Sequence, residues 1–244
     1  MDDSRKDIHT AGVPRICQAC EARHKGICGG MEPEQLLELS RSTKIRTVPV
    51  GTELLIEGET SGTFSNILSG VVKLSKLMAD GRHQIVGLQF APDFVGRPFS
   101  DESLVAAEAA TDVTICTFPR DALEDMTSRS PGLGKMLLSQ SLAELDEARD
   151  WMLTLGQRTA EERVAHFLHT IAAHIDPYRK DDDESTVDIE LPLSRADIAD
   201  FLGLTIETVS RQFTRLRNQG VIEKLDGRNI RIPSLDALRE IAER

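Results

Sequence analysis

The sequence predicts an α+β protein built from an N-terminal β-roll, one long helix and a C-terminal winged helix-turn-helix. Three observations carry this. Between Ile45 and Phe118, short β-rich runs are punctuated by glycines at 51, 58, 62, 70, 81, 87 and 96, the texture of a roll or barrel-like sandwich. From Ser130-Pro131 onward, leucines recur at three- and four-residue steps, which is helical periodicity. Finally, "LSRADIADFLGLTIETVSRQFTRLRNQGVIEKLDGRNIRI" sets two capped amphipathic segments around a glycine and follows them with a hairpin signature.

The totals agree with two modest domains: 244 residues, 40% apolar and 28% charged, enough to bury a core. No apolar run approaches the roughly 18 residues of a membrane helix, so no membrane partner is expected. The start, "MDDSRKDIHTAG", is charged and has no apolar stretch, unlike a secretory signal. A cytoplasmic location is therefore expected. In that reducing compartment four cysteines read as ligands or redox groups rather than structural disulfides. The net charge of −11 excludes a chain coated in basic residues, but not a local basic face, so charge is counted by segment. No Ser-His-Asp arrangement, phosphate loop or paired carboxylates suggest an enzyme.

Four parts follow in order. Residues 1–30 form a cysteine-rich arm. Residues 31–129 form the β-roll, preceded by a short helix in "MEPEQLLELSRST" with Leu36, Leu37 and Leu39 on one side. Within the roll, Asp80-Gly81 between two β-rich runs is a hairpin signal. Residues 130–158 form the long helix, whose stripe of Leu138, Leu142, Leu145, Ala148 and Met152 is close to a heptad repeat and is surrounded by Glu144, Asp146, Glu147, Arg149 and Asp150. Such a helix either lies on the roll or pairs with a second copy, and the narrow stripe favours the paired seam. Residues 159–244 form the DNA-binding part. It opens with a helix capped by Thr159, with Glu162 at capping-box spacing, followed by an acidic loop, "DPYRKDDDEST".

In that last part Ser194 caps a helix carrying Ile198, Ala199 and Leu202, and Gly203 makes the turn. Thr205 caps a second helix with Val209, Phe213 and Leu216 on its buried face, and Gly220 ends it. "VIEKL", Asp226-Gly227 and "NIRIP" read as the wing. Residues 206–231 hold six basic side chains, Arg211, Arg215, Arg217, Lys224, Arg228 and Arg231, against Glu207, Glu223 and Asp226. This local positive face suits phosphates. The exposed side of the second helix offers Glu207, Ser210 and Arg211. An Arg grips guanine with two hydrogen bonds, a Glu accepts from the cytosine amino group, and a Ser meets either edge. Double-stranded DNA is the expected partner.

Cys17, Cys20 and Cys28 lie in "CQACEARHKGIC", and Cys116 lies far off in "DVTICTF". Three readings compete: zinc held by four cysteines, although only one CxxC knuckle is present; a dithiol switch at Cys17 and Cys20; and an iron–sulfur cluster, which tolerates wide, irregular spacing. Cys116 by itself also reads as a core residue, and His24 as a solvated loop side chain.

With the cysteines and "ETVSR" both in view, the chain resembles the cyclic-AMP receptor protein superfamily. The branch is that of the fumarate and nitrate reduction regulator (FNR), FnrL/FnrN type, whose first three cysteines share this x2, x7 spacing. The resemblance spans the arm, the roll, the long helix, "AEER" at 160–163 and "LGLTIETVSR" at 202–211. It implies a homodimeric, oxygen-responsive transcription regulator with one [4Fe–4S] cluster per chain on Cys17, Cys20, Cys28 and Cys116. It further implies that Glu207, Ser210 and Arg211 read TTGAT half-sites, and that the loop at Asp80, Gly81 and Arg82 meets RNA polymerase. Two departures stand out. Cyclic-nucleotide-binding relatives hold phosphate with an Arg-Ser pair, which falls here on Asp101-Glu102, while Arg97 follows "FVG"; a cyclic nucleotide is therefore not expected. An Asp that opposes its twin on the dimer stripe of the best-known regulator is replaced here by Ala148, with Asp146, Glu147 and Asp150 nearby.

Overall fold

A computed structural model describes residues 13–18, 20, 22–175 and 186–244. The acidic loop expected at 176–186 lies outside the described residues in all but its last position, as do residues 1–12 of the arm. The chain divides into two compact units. One holds the residues up to Lys76 together with Leu88–Leu145; the other holds Leu77–Gly87 and Asp146–Arg244.

The first unit starts with two single-turn helices, α1 (Arg15–Gln18) and α2 (Ala22–Lys25), and a 3-10 turn, Ile27–Gly30. Next comes α3 (Pro33–Ser40), where Glu32 and Gln35 satisfy each other's backbone N–H in a capping box. Leu36 and Leu39 are buried, whereas Leu37 is exposed. The expectation that all three share a face is corrected by the helical period, which turns Leu37 about 100° from Leu36.

The roll consists of β1 (Lys44–Val48), β2 (Glu53–Leu55), β3 (Thr63–Ser69), β4 (Val71–Leu77), β5 (His83–Phe90), β6 (Phe94–Val95), β7 (Ala106–Ala109) and β8 (Val113–Pro119). They form two four-stranded sheets, β1-β8-β3-β6 and β2-β7-β4-β5. The β4–β5 hairpin turns at Asp80-Gly81, as expected. α4 (Arg120–Arg129) and α5 (Pro131–Gln157) complete the run. α5 is the long helix expected from position 130.

In the sheet β1-β8-β3-β6, β3 and β8 carry buried side chains on both faces, and strand alternation decides what lies on each. Ile67, Val113 and Ile115 join Val48, Val72, Val95 and Ala107 in the core between the sheets. Phe64, Phe94 and Phe118 face the other way and pack with Ile27, Met31, Leu36, Leu39, Leu123, Met126 and Leu133. That outer core joins the arm, α3, α4 and the first turn of α5. Asn66 and Cys116 share the outer parity and are paired across β3 and β8.

The second unit contains α6 (Ala160–Ile175), β9 (Val187–Glu190), α7 (Arg195–Leu202), α8 (Ile206–Asn218), β10 (Glu223–Lys224), β11 (Asn229–Ile232) and α9 (Leu235–Ala242). Thr159 and Glu162 exchange capping hydrogen bonds at the start of α6. The expected wing hairpin is β10–β11, and β9 pairs antiparallel to β11 as a third strand.

Candidate nucleic-acid interface and cysteine site

α7 and α8 are set by their ends. The Ser194 hydroxyl accepts the Asp197 N–H at 3.1 Å, and the Asp197 carboxylate accepts the Ser194 N–H at 3.2 Å. α7 stops at Gly203, whose φ of +61° is the left-handed turn that glycine takes without a Cβ penalty. Thr205 then caps α8 by accepting the Thr208 N–H at 3.2 Å. Ile198, Ala199, Leu202, Val209, Phe213 and Leu216 close the core between the two helices.

Glu207, Ser210 and Arg211 lie together on the exposed face of α8. Its own backbone N–H, and then the Thr205 hydroxyl, hold the Glu207 carboxyl below the usual range, keeping it an ionised acceptor. Arg211 steadies its guanidinium on the Thr208 hydroxyl at 3.3 Å.

Two basic residues counted toward this face from sequence have other partners. Arg215 pairs with Glu161 of α6 at 3.0 Å, and Arg231 grips Asp188 of β9 through two bonds of 2.7 and 2.9 Å. One residue not singled out from sequence joins it: Arg195 lies 3.4 Å above the Phe213 ring. Its position directly after the cap Ser194 was the available signal. Arg195, Arg217, Lys224 and Arg228 line a cavity of about 450 Å³ between α8 and the wing, floored by Leu191, Leu193, Phe213, Ile222 and Ile230 and lined by no carboxylate. A cationic, acid-free groove beside α8 suits a phosphate backbone.

The cysteines gather on the outer face of the sheet β1-β8-β3-β6. Ile115 is buried inward, so the next residue, Cys116, points outward. The turn Ile27–Gly30 carries Cys28 and is pinned by fully buried Ile27. The turn also presses on α5 so closely that a Cβ on Gly30 would stand 2.3 Å from the Gly132 carbonyl oxygen. Cys17 lies in α1, with Cys20 just beyond it.

All four cysteines are free thiols. Burial first, then the charges of Cys116, Cys17 and Cys20, push Cys28 up to about 12. Burial, then Cys20 and Cys17, push Cys116 up to about 12. Cys17 is raised by burial and then by Cys20. Cys28 thus lies in the field of the other three cysteines, and Cys116 in that of the two from the arm, which draws the four toward one site. Among the described residues, no three His, Cys, Asp or Glu side chains are grouped closely enough to hold a single metal ion.

Two further residues belong here. Arg23 is buried, its Nη1 has no hydrogen-bond partner, and its charge opposes the rise at Cys17. Asn66, 1% exposed, donates from Nδ2 to the Cys28 sulfur at 3.3 Å, while its Oδ1 is buried without a partner. An orphaned buried acceptor costs about 1–3 kcal/mol. An amide inside a β-rich run was the only sequence signal for Asn66. His24 is exposed and touches Arg23.

Comparison with known proteins agrees with this architecture. Residues 162–241 match the Crp-like helix-turn-helix domain, and residues 45–130 match the cyclic nucleotide-binding domain. The chain is 53% identical to a probable transcriptional activator of Rhizobium leguminosarum bv. viciae over 99% of both chains. It is 36% identical to the transcriptional activator protein FnrL of Cereibacter sphaeroides over 94% of both. This chain belongs to the CRP/FNR family. The structure of FixK2 from Bradyrhizobium japonicum superposes with a TM-score of 0.71 at 31% identity, covering 82% of this chain and 96% of that one. The protein is a CRP/FNR-type transcriptional activator, and its relatives are regulators rather than enzymes.

CRP/FNR regulators bind DNA and generally act as dimers. Leu138, Leu142, Leu145 and Met152 are exposed along α5, with Ala148 between them, and Met152 reaches 72% exposure. Asp80, Gly81 and Arg82 form an exposed turn in which Arg82 Nε donates to Asp80 at 2.8 Å. In the roll, the hollow lined by Arg97, Glu102 and Arg120 holds only about 10 Å³, room for about one water. No helix among the described residues is long and apolar enough to cross a membrane.

Proposed function

We propose that the protein is an oxygen-responsive transcription regulator that acts as a homodimer on TTGAT-N4-ATCAA-like palindromes, with Cys17, Cys20, Cys28 and Cys116 holding a [4Fe–4S] cluster. The observation that carries this reading is the meeting of Cys28 from the arm and Cys116 from the sheet on either side of Asn66, with both thiols in the field of Cys17 and Cys20. A single ion needs its donors within bonding reach of one point. A four-iron cluster takes four thiolates and accepts wide, irregular spacing, which suits Cys17, Cys20, Cys28 and Cys116. The unspent Arg23 N–H suits a site that becomes anionic. When bound, such a cluster supplies sensitivity to oxygen and a tether for the arm.

The remaining steps belong to the chain's own residues. The Ile27–Gly30 turn bears on α5 at Gly132, so ordering of the arm reaches the helix that carries the Leu138–Met152 seam. Pairing of that seam with a second copy sets two recognition helices about one DNA turn apart. Glu207, Ser210 and Arg211 read base edges, and Arg195, Arg217, Lys224 and Arg228 hold phosphates. The turn at Asp80–Arg82 is offered to RNA polymerase. The small hollow in the roll and the acids at Asp101 and Glu102 support a regulator without a cyclic nucleotide.

The test is a visible spectrum of protein purified under anoxia, followed through a pulse of air while operator binding is monitored. A broad iron–sulfur band that bleaches together with binding supports the reading. Colourless protein containing zinc, with binding indifferent to air, overturns the cluster and leaves a DNA-binding regulator whose cysteines hold zinc or act as thiols.

A further inference from the structure

Asn66 is an anomaly in β3. Its strand neighbours Phe64 and Ile67 are fully buried apolar side chains, and a leucine there would pack without stranding a carbonyl. Instead the amide is 1% exposed, gives its N–H to the Cys28 sulfur, and leaves Oδ1 unsatisfied. Its strand partner across the ladder is Cys116. It therefore stands between the cysteine that comes from the arm and the cysteine built into the sheet.

A sulfur that carries negative charge is a much stronger acceptor than a neutral thiol. The Asn66 N–H therefore gains strength when Cys28 serves as a ligand. Hydrogen bonds to ligand sulfurs are also among the levers that set the potential and stability of a thiolate-held cluster.

We propose that Asn66 is a positioning residue for the four-cysteine site: its amide N–H holds the Cys28 sulfur beside Cys116 and sets how firmly, and at what potential, a cluster is held there. The inference rests on the cluster reading above. Arg23, whose charge acts on Cys17 from the arm, makes no hydrogen bond to Cys28 among the described residues.

The experiment compares the full chain with Asn66→Leu, which keeps the number and branching of side-chain heavy atoms and removes the donor, and Asn66→Ser, which keeps a donor on a shorter arm. Each is reconstituted with iron and sulfide under anoxia. The midpoint potential is measured, along with the rate of iron loss to a chelator without oxygen. Loss of a bond to a ligand typically costs ten- to a hundredfold in metal retention, so Asn66→Leu is expected to lose iron at least about tenfold faster and to move the potential to more negative values. Asn66→Ser recovers part of both. A leucine variant with native potential and native iron retention overturns the role of Asn66 while the cluster stands. A native chain that takes up no cluster overturns the reading of the cysteines and this inference with it. If the leucine variant fails to fold, the serine variant decides: fully native potential and iron retention in it, despite the shorter reach of its hydroxyl, also overturn the inference.

Discussion

Gly132→Ala probes the contact that joins the cysteine arm to α5. In an ordinary helix, Gly→Ala stabilises, by up to about 1 kcal/mol. Here the added Cβ would stand 2.1 Å from the Gly30 carbonyl oxygen and 3.1 Å from its carbonyl carbon. Both are backbone atoms, so one chain must retreat, and overpacking of this kind costs about 1–3 kcal/mol. The sign is therefore predicted to reverse. Gly134→Ala is the internal control: its Cβ meets only the Thr127 methyl, at 3.8 Å, an ordinary contact. Followed by far-UV circular dichroism without metal, Gly134→Ala is expected to raise the melting temperature by about 2–4 °C, and Gly132→Ala to lower it by about 2–12 °C. Because Gly30 is two residues beyond Cys28, the same retreat displaces the turn that presents that thiol. Equal rises in the two variants would refute the close contact and, with it, the mechanical path from arm to helix.

Other expectations concern the interface and the thiols. Arg211→Ala is expected to cost about 1–3 kcal/mol at one guanine of the operator and to relax the choice of base there; an unchanged preference in binding to single-base operator variants removes Arg211 from readout. Arg228→Ala, in the acid-free groove, is expected to weaken binding to all sequences alike and to lower the salt slope by about one, as measured by titrations at several salt concentrations. Leu142→Glu places charge on the exposed α5 stripe and is expected to shift the protein toward monomer in analytical ultracentrifugation. For Cys28, the folded value of about 12 lies above the ordinary value of 9.0. Its contribution to the metal-free protein is thus complete below about pH 9 and is lost as pH rises toward 12. The urea midpoint of the native chain is expected to fall more steeply over that range than that of Cys28→Ala, and parallel curves would show that Cys28 is not buried as described.

Much of this was legible in the sequence because the deciding forces are local. Ser194, Gly203 and Thr205 act on backbone groups within a few residues of themselves, so the helix-turn-helix could be drawn from spacing alone. The stripe on α5 and the turn at Asp80-Gly81 are periodic or dipeptide signals of the same kind. Where packing rather than local preference decides, the sequence was silent or misleading. β7 (Ala106–Ala109) has little strand propensity and is a strand because β2 and β4 pair on either side of it. Leu37 lost its place in the core to helix rotation.

The chemistry divides along the same line. Cys17, Cys20, Cys28 and Cys116, like Glu207, Ser210 and Arg211, are identifiable by residue type and spacing. Their surroundings are not, because a partner such as Asn66 for Cys28 is 38 residues away and is chosen by strand parity and register. Likewise, only the tertiary structure shows that Arg215 and Arg231 are occupied by Glu161 and Asp188 while Arg195 joins the groove. Caps, turns and periodicity act within a few residues along the chain, whereas burial and charge pairing depend on distances through space, which exist only once the chain has folded.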